Sequence, residues 1–110
     1  MVKNMFGNYW PLGDMKLCVG PGWGKLIEDL YKICDEDDIA VYQVKEKWGG
    51  LRFYVGGAPE EVLDMIEFAE KESFKICEQC GKPGEPRGGS WVKTLCDECY
   101  INWKEPSNVD

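Results

Sequence analysis

Four cysteines near the C-terminus constrain this sequence more than any other feature. Cys77-Glu78-Gln79-Cys80 is followed, fifteen residues later, by Cys96-Asp97-Glu98-Cys99. The pattern C-x2-C-x15-C-x2-C is a zinc-site spacing. Two residues between cysteines let both sulfurs of a pair reach one ion, and zinc takes four such ligands tetrahedrally at about 2.3 Å. Gly81, directly after Cys80, gives the backbone the freedom a tight knuckle needs. The turn-rich stretch GKPGEPRGGS returns the chain, and Trp91–Val92–Lys93 reads as a strand. Thr94 followed by Asp97 resembles a capping box with Asp in place of Glu, so residues 96–103 read as a short helix stopped by Pro106. A knuckle, a hairpin and a helix whose first turn supplies two ligands make a treble clef. A second knuckle in place of the helix makes a zinc ribbon. Of the two, the treble clef is favoured.

The same cysteines argue against catalysis. A catalytic zinc keeps an open position, whereas four thiolates close the shell and leave no place for an activated water. The chain has no histidine. That removes histidine-dependent metal nucleases and leaves Ser73, Ser90 and Ser107 without the usual base. A redox C-x-x-C would sit as a single pair in a βαβ unit, and a zinc deaminase would need a third upstream ligand beside a catalytic Glu; neither pattern is present. Glu78, Asp97 and Glu98 would also disfavour a free thiolate through like charge. The glycine-rich stretches VGPGWG and GGAPE lack phosphate-loop spacing and read as turns. Of the two remaining cysteines, Cys34 falls on an apolar helical stripe and reads as a core thiol, while Cys18 has no assigned role.

Upstream of the cysteines the sequence reads as an α+β core. Residues 1–20 have no clear period and form an irregular arm, pinned by Phe6, Tyr9, Trp10 and Leu12. PGWG at 21–24 launches a helix with Leu26, Ile27, Leu30, Tyr31 and Cys34 on one stripe. The acidic run 35–38 ends it as a solvated loop. Ile39–Glu46 and Leu51–Val55 are β-prone runs around KWGG, which reads as a hairpin. Strict alternation puts Tyr42, Val44, Leu51, Phe53 and Val55 on one face, and Val41, Gln43, Lys45, Arg52 and Tyr54 on the other. Pro59, Glu60 and Glu61 open a second helix, whose line Val62, Ile66, Ala69 and Ser73 packs on the hairpin. The resulting order is arm 1–20, helix–hairpin–helix core 21–74, four-cysteine finger 75–105 and frayed tail 106–110.

The formal net charge is −7. Residues 1–73 carry 8 Lys/Arg against 14 Asp/Glu, while residues 74–105 carry 5 of each. An acidic chain is not steered to phosphate backbones, so nucleic acid is disfavoured as a partner. The exception is local. Lys45, Lys47, Trp48, Arg52 and Tyr54 interleave cations and aromatics, which reads first as a structural hairpin whose Trp48 covers the core edge and whose cations balance an acidic chain, then as a protein interface, and last as a site for single-stranded nucleic acid. No apolar run is long enough to span a bilayer and no signal-peptide core is evident, so the expected location is the cytoplasm.

The segments GWGKLIEDL, VKEKWGGLRFYV, AEKESFKICEQCGKPG and WVKTLCDEC together resemble a group of small phage and prophage proteins. These share a short helix, a "VKEK-aromatic-GGLRFY" hairpin, an "AE..S" helix and a C-terminal two-CxxC module. The resemblance spans roughly residues 21–100 by motif reading. It assigns no catalytic residue. It implies a viral accessory protein in a bacterial host cytoplasm, binding a host or viral protein and inhibiting a host defence or nucleic-acid-processing factor.

Overall fold

A computed structural model of the chain describes residues 1–103. Helix α1 (Leu12–Lys16) is followed by a 3-10 turn (Pro21–Trp23) and helix α2 (Gly24–Glu36). A first hairpin follows, of β1 (Val41–Lys47) and β2 (Gly50–Val55), then helix α3 (Glu60–Ser73). A second hairpin, β3 (Glu85–Arg87) with β4 (Lys93–Leu95), leads into α4 (Asp97–Asn102). Both hairpins are antiparallel two-stranded sheets. The expected helix, hairpin, helix order is therefore present, and the class is α+β. Among the described residues no helix is long and apolar enough to cross a membrane. Pro106 and the tail expected over 106–110 lie outside the described residues.

The core forms where the two helical stripes meet one face of the first hairpin. α2 buries Ile27, Leu30 and Cys34, and α3 buries Val62, Ile66, Ala69 and Ser73. The hairpin contributes Val41, Val44, Leu51 and Phe53, and Trp23 is fully enclosed. A two-stranded ribbon leaves each strand with an outer row of unpaired backbone groups. Here α3 answers two of them on β2. The Leu51 N–H donates to Ser73 Oγ at 2.8 Å, and the Phe53 N–H donates to Glu70 Oε2 at 2.8 Å. Ser73 in turn donates to the Glu70 carbonyl at 2.5 Å, so a serine inside the apolar stripe has both roles satisfied.

Two expectations of the sequence reading are corrected here. Strict alternation fails at the start of β1. Val41 pairs with Val55 and Gln43 with Tyr54, leaving Tyr42 as the extra residue of an irregularity. Val41 is therefore buried and Tyr42 exposed, the reverse of the expected faces, while Val44, Leu51 and Phe53 point inward as expected. The N-terminal arm is also more integrated than its composition suggests. Val2 and Met15 are fully buried, and the Val41 N–H donates to the Lys3 carbonyl at 2.9 Å. Trp10 and Leu12 pack against the core, and Tyr9, although exposed, is bridged to Lys3 and hydrogen-bonds the Tyr31 side chain, whereas Phe6 is exposed.

The finger meets the core through its own backbone carbonyls. The Gly22 N–H donates to the Glu78 carbonyl at 2.6 Å, and the Trp23 indole N–H donates to the Ile76 carbonyl at 2.9 Å. A Cβ at Gly22 would collide with the Cys77 carbonyl and would stand 2.5 Å from the Gly81 nitrogen. Since both neighbours are main chain, neither can rotate away. We therefore predict that Gly22→Ala lowers stability by about 1–3 kcal/mol, the range for overpacking. Gly57→Ala faces open space and should stay within about 0.5 kcal/mol of the parent. Urea unfolding of the two variants measures the difference, and equal midpoints would contradict the close approach.

Candidate metal centre

The first hairpin-like turn of the finger is built by its own backbone. The Cys77 N–H donates to the Lys82 carbonyl at 2.7 Å and the Gly81 N–H to the Cys77 carbonyl at 2.9 Å. Gly81 has φ 85°, the left-handed conformation expected of a knuckle. The chain then returns through β3 and β4, which are paired from Glu85–Leu95 to Arg87–Lys93. β4 delivers Cys96 to the start of α4. Cys96 is the N-cap of that helix, and its sulfur accepts the Cys99 N–H at 3.5 Å. The capping box expected from Thr94 and Asp97 does not form. Thr94 lies in β4, fully buried, and its hydroxyl donates to the Gly49 carbonyl at 2.6 Å.

This path brings all four predicted cysteines together. Their sulfurs lie within 4.8 Å of one another. The Cys80 and Cys96 sulfurs are 3.6 Å apart, close to the ~3.8 Å edge of a tetrahedron with metal–sulfur bonds of about 2.3 Å. Cys77 and Cys96 are buried, Cys99 half-buried and Cys80 exposed. The donor set and spacing fit a tetrahedral, thiolate-bound metal ion. Cys18 and Cys34 belong to no such cluster among the described residues.

The acidities of the sulfurs describe the same site. Burial pushes the Cys77 thiol up, but the N–H groups of Cys96, Cys80 and Gln79 and the Cys80 side chain outweigh it and bring it down to about 6. Cys99 is pushed up to about 12, first by its contact with the Cys96 sulfur, then by burial and the sulfurs of Cys77 and Cys80. These opposite shifts belong to the sulfur cluster as a whole, because each sulfur's charge raises the cost of ionising the next. Four sulfurs this close cannot all ionise without a cation, and a divalent metal removes that conflict by coordinating each as a thiolate. By contrast, Cys34 is raised to about 11 by burial and by Asp37, as befits an inert core thiol.

The acidic neighbours of the ligands are each matched to a base. Lys93 Nζ lies 2.9 Å from Glu78 Oε1, Lys82 Nζ lies 3.1 Å from Glu98 Oε1, and Arg87 pairs with Asp97. Arg87 also donates to the Leu95 carbonyl at 3.1 Å and lies 5.1 Å from the Tyr100 ring, which seats α4 on the second hairpin. Glu78 is the residue that sequence reasoning missed. It is buried between two ligands, its Oε2 accepts the Gly20 N–H at 3.0 Å, and its own N–H donates to the Thr94 carbonyl at 3.0 Å. A Glu between two cysteines carries no sequence signal for burial, because Glu is almost never fully buried unless paired.

The hairpin residues proposed as a contact surface fall into two groups. Lys45 and Arg52 are direct cross-strand partners, and Gln43 pairs with Tyr54, so all four share the outer face. Lys45 Nζ stands 5.9 Å from the Tyr54 ring centre. Arg52 is only half-exposed, and its buried Nε has no hydrogen-bond partner among the described residues. Trp48 stands apart at the turn. It is 63% exposed and has φ 55°, followed by Gly49 at φ 85°. Together with Trp91 (46% exposed), Val92, Glu46, Lys47 and Ser90 it lines a groove of about 360 Å³ between the two hairpins.

No protein-family model matches this sequence, and no match appears among characterised proteins or solved structures.

Metal binding to finger sites of this kind contributes roughly 10–16 kcal/mol, against about 5–15 kcal/mol for whole-domain stability. Cys→Ser at 77, 80, 96 or 99 should therefore abolish bound metal, whereas Cys18→Ser and Cys34→Ser should retain it. Cys34→Ser should cost about 1–3 kcal/mol by burying a hydroxyl. Because Glu78 holds the amides of Gly20 and Gly22, chelation should strip protection from those two amides along with residues 77–81. Amides inside α2 and α3 should stay protected. Elemental analysis of each variant and amide exchange before and after chelation test these statements. Metal loss on changing Cys18 or Cys34, or an unchanged exchange pattern after chelation, would refute the assignment.

Proposed function

We propose that this chain is a non-catalytic protein-binding module whose finger is a treble clef closed by one structural zinc ion. The observation that carries the reading is the four-cysteine cluster. All-sulfur ligation with tetrahedral spacing suits zinc, and four filled positions leave none for a reacting water. The order knuckle, hairpin, then helix with Cys96 and Cys99 at its first turn supports the treble clef over the ribbon.

The binding element in this reading is the hairpin tip. A two-residue turn with positive φ at both central positions normally takes Asn-Gly. A bulky side chain in that conformation is disfavoured by roughly 1–2 kcal/mol and needs a reason. Trp48 occupies it while exposed, beside Trp91, in the arrangement of an interface anchor. The resemblance supplies the setting, a phage accessory factor acting on a host or viral protein in the host cytoplasm. One observation favours a second reading, nucleic-acid binding, since Lys45, Arg52 and Tyr54 lie together on the outer hairpin face.

Trp48→Gly separates anchor from scaffold. It relieves the left-handed strain, so stability should hold or rise by about 0.5–1 kcal/mol. Capture of a bacterial partner by the zinc-loaded protein should nonetheless fall at least tenfold, on the order of the loss of an interface anchor. Undiminished capture, or loss of folding, would refute the anchor role. Tight, steeply salt-dependent gel shifts at physiological salt would favour the nucleic-acid reading instead.

A further inference from the structure

The charge of this chain is not spread over its surface. Helices α2 and α3 together carry ten Asp/Glu and three Lys, while the rest of the sequence carries ten acidic and ten basic residues. The entire net charge of −7 therefore lies on two helices. Between them runs an open apolar groove of about 350 Å³. Leu26 and Ile33 of α2 form one wall and Met65 and Phe68 of α3 the other, with Asp29 and Asp64 at the groove as well. Met65 is 50% exposed and Phe68 65% exposed, although the adjacent Ile66 and Ala69 are buried in the core. Glu61 and Glu72 lie one turn before Met65 and one turn after Phe68, on the same side of α3.

We infer that the α2–α3 groove is a docking surface for a cationic amphipathic helix of a partner protein. This rests on reading the chain as a protein-binding module, but uses a groove that shares no residue with the hairpin tip. The chemistry selects the occupant. Both walls are helices, whose backbone groups are already paired, so an extended strand finds no ladder to join and recognition falls to side chains. Leu26 and Ile33 are seven residues apart, about 10 Å along α2, which matches the i, i+7 spacing of apolar residues on an incoming helix. Methionine and an exposed ring adapt to such apolar side chains, and the flanking carboxylates pair with Lys or Arg at their edges. The same carboxylates reject the other occupants. A second copy would set one acidic helix pair against another, and nucleic acid or an anionic bilayer would meet like charge.

The test uses the full-length zinc-loaded protein and a fluorescein-labelled synthetic helix of about 18 residues with Leu on one face and Lys on the other. A Leu/Glu counterpart serves as control, both at physiological salt. The Lys peptide should bind with a micromolar Kd and the Glu peptide should not bind. Met65→Ser with Phe68→Ser, and separately Asp29→Lys with Asp64→Lys, should each weaken binding at least about tenfold. Asp37→Lys with Asp38→Lys alters net charge equally outside the groove and should change binding less than about threefold, as should Trp48→Gly. Metal content and circular dichroism establish that each variant is folded; should the Ser pair fail to fold, the Asp29/Asp64 pair decides. Absence of peptide binding, equal loss in the Asp37/Asp38 variant, or retention in both groove variants would overturn the proposal. So would a dimer abolished by the Ser pair, since a second copy would then cover the groove. Loss of partner capture in Trp48→Gly with peptide binding intact would leave both surfaces standing.

Discussion

Glu78 is the point through which the finger and the core constrain each other. A carboxylate buried without partners would be prohibitive, so its position is tolerable only when every surrounding group is in place. Its oxygens take Gly20 and Lys93, its carbonyl takes Gly22, and its N–H reaches Thr94. Those partners come from the turn before α2 and from β4, and Thr94 continues the path to Gly49 in the first hairpin. Lys93 also lies 3.7 Å from Glu46, whose other oxygen accepts the Gly49 N–H. Buried ion pairs of this kind are weak evidence for net stability, but they penalise every misaligned alternative. Cys77 and Cys80 lie on either side of Glu78, and a metal ion shared with Cys96 and Cys99 would fix the knuckle that carries it. Closure of the site by a metal ion would thus bring the turn, the hairpin tip and the second hairpin into one arrangement.

Much of this architecture was legible in the sequence, for physical reasons that can be named. Residues that recur at helical spacing, such as Ile27, Leu30 and Cys34 or Val62, Ile66, Ala69 and Ser73, must share a face. The cysteine spacing has a similar geometric force, since two intervening residues bring two sulfurs to one ion. What was illegible was set by tertiary contacts. Nothing in IAVYQV marks Tyr42 as an extra residue, because the irregularity serves to bury both Val41 and Val44. Val2 and Met15 are single apolar residues in an aperiodic stretch, and only their buried sites distinguish them from exposed Met5 and Phe6. Thr94 offered a good local capping pattern, yet its hydroxyl is used across the molecule by Gly49. The cap of α4 is instead a cysteine, a role propensity would not assign.

A chain of 110 residues has a modest core, and this one leaves large apolar groups exposed. Trp48 in a disfavoured conformation, Met65 and Phe68 on an open groove, and a like-charged pair of helices all act against stability. A metal ion at the four cysteines would contribute on the order of whole-domain stability, enough to let such features persist in a small fold. The finger would thereby act as a source of rigidity for surfaces that lie elsewhere.

The distribution of acidity supports this division between scaffold and surface. If negative charge served solubility alone, the −7 could be spread among all exposed positions, where self-repulsion is smallest. Confining it to α2 and α3 raises repulsion between neighbouring helices, and only part is relieved by pairs such as Lys25 with Asp29 and Lys71 with Glu67. Exposed pairs of this type contribute little. The arrangement thus carries a cost that folding does not require, and it coincides with the apolar groove between the same two helices. A cationic helix laid there would relieve the repulsion and cover Met65 and Phe68 in one step. Charge and apolar exposure, each unfavourable in the free protein, would then favour the same bound state.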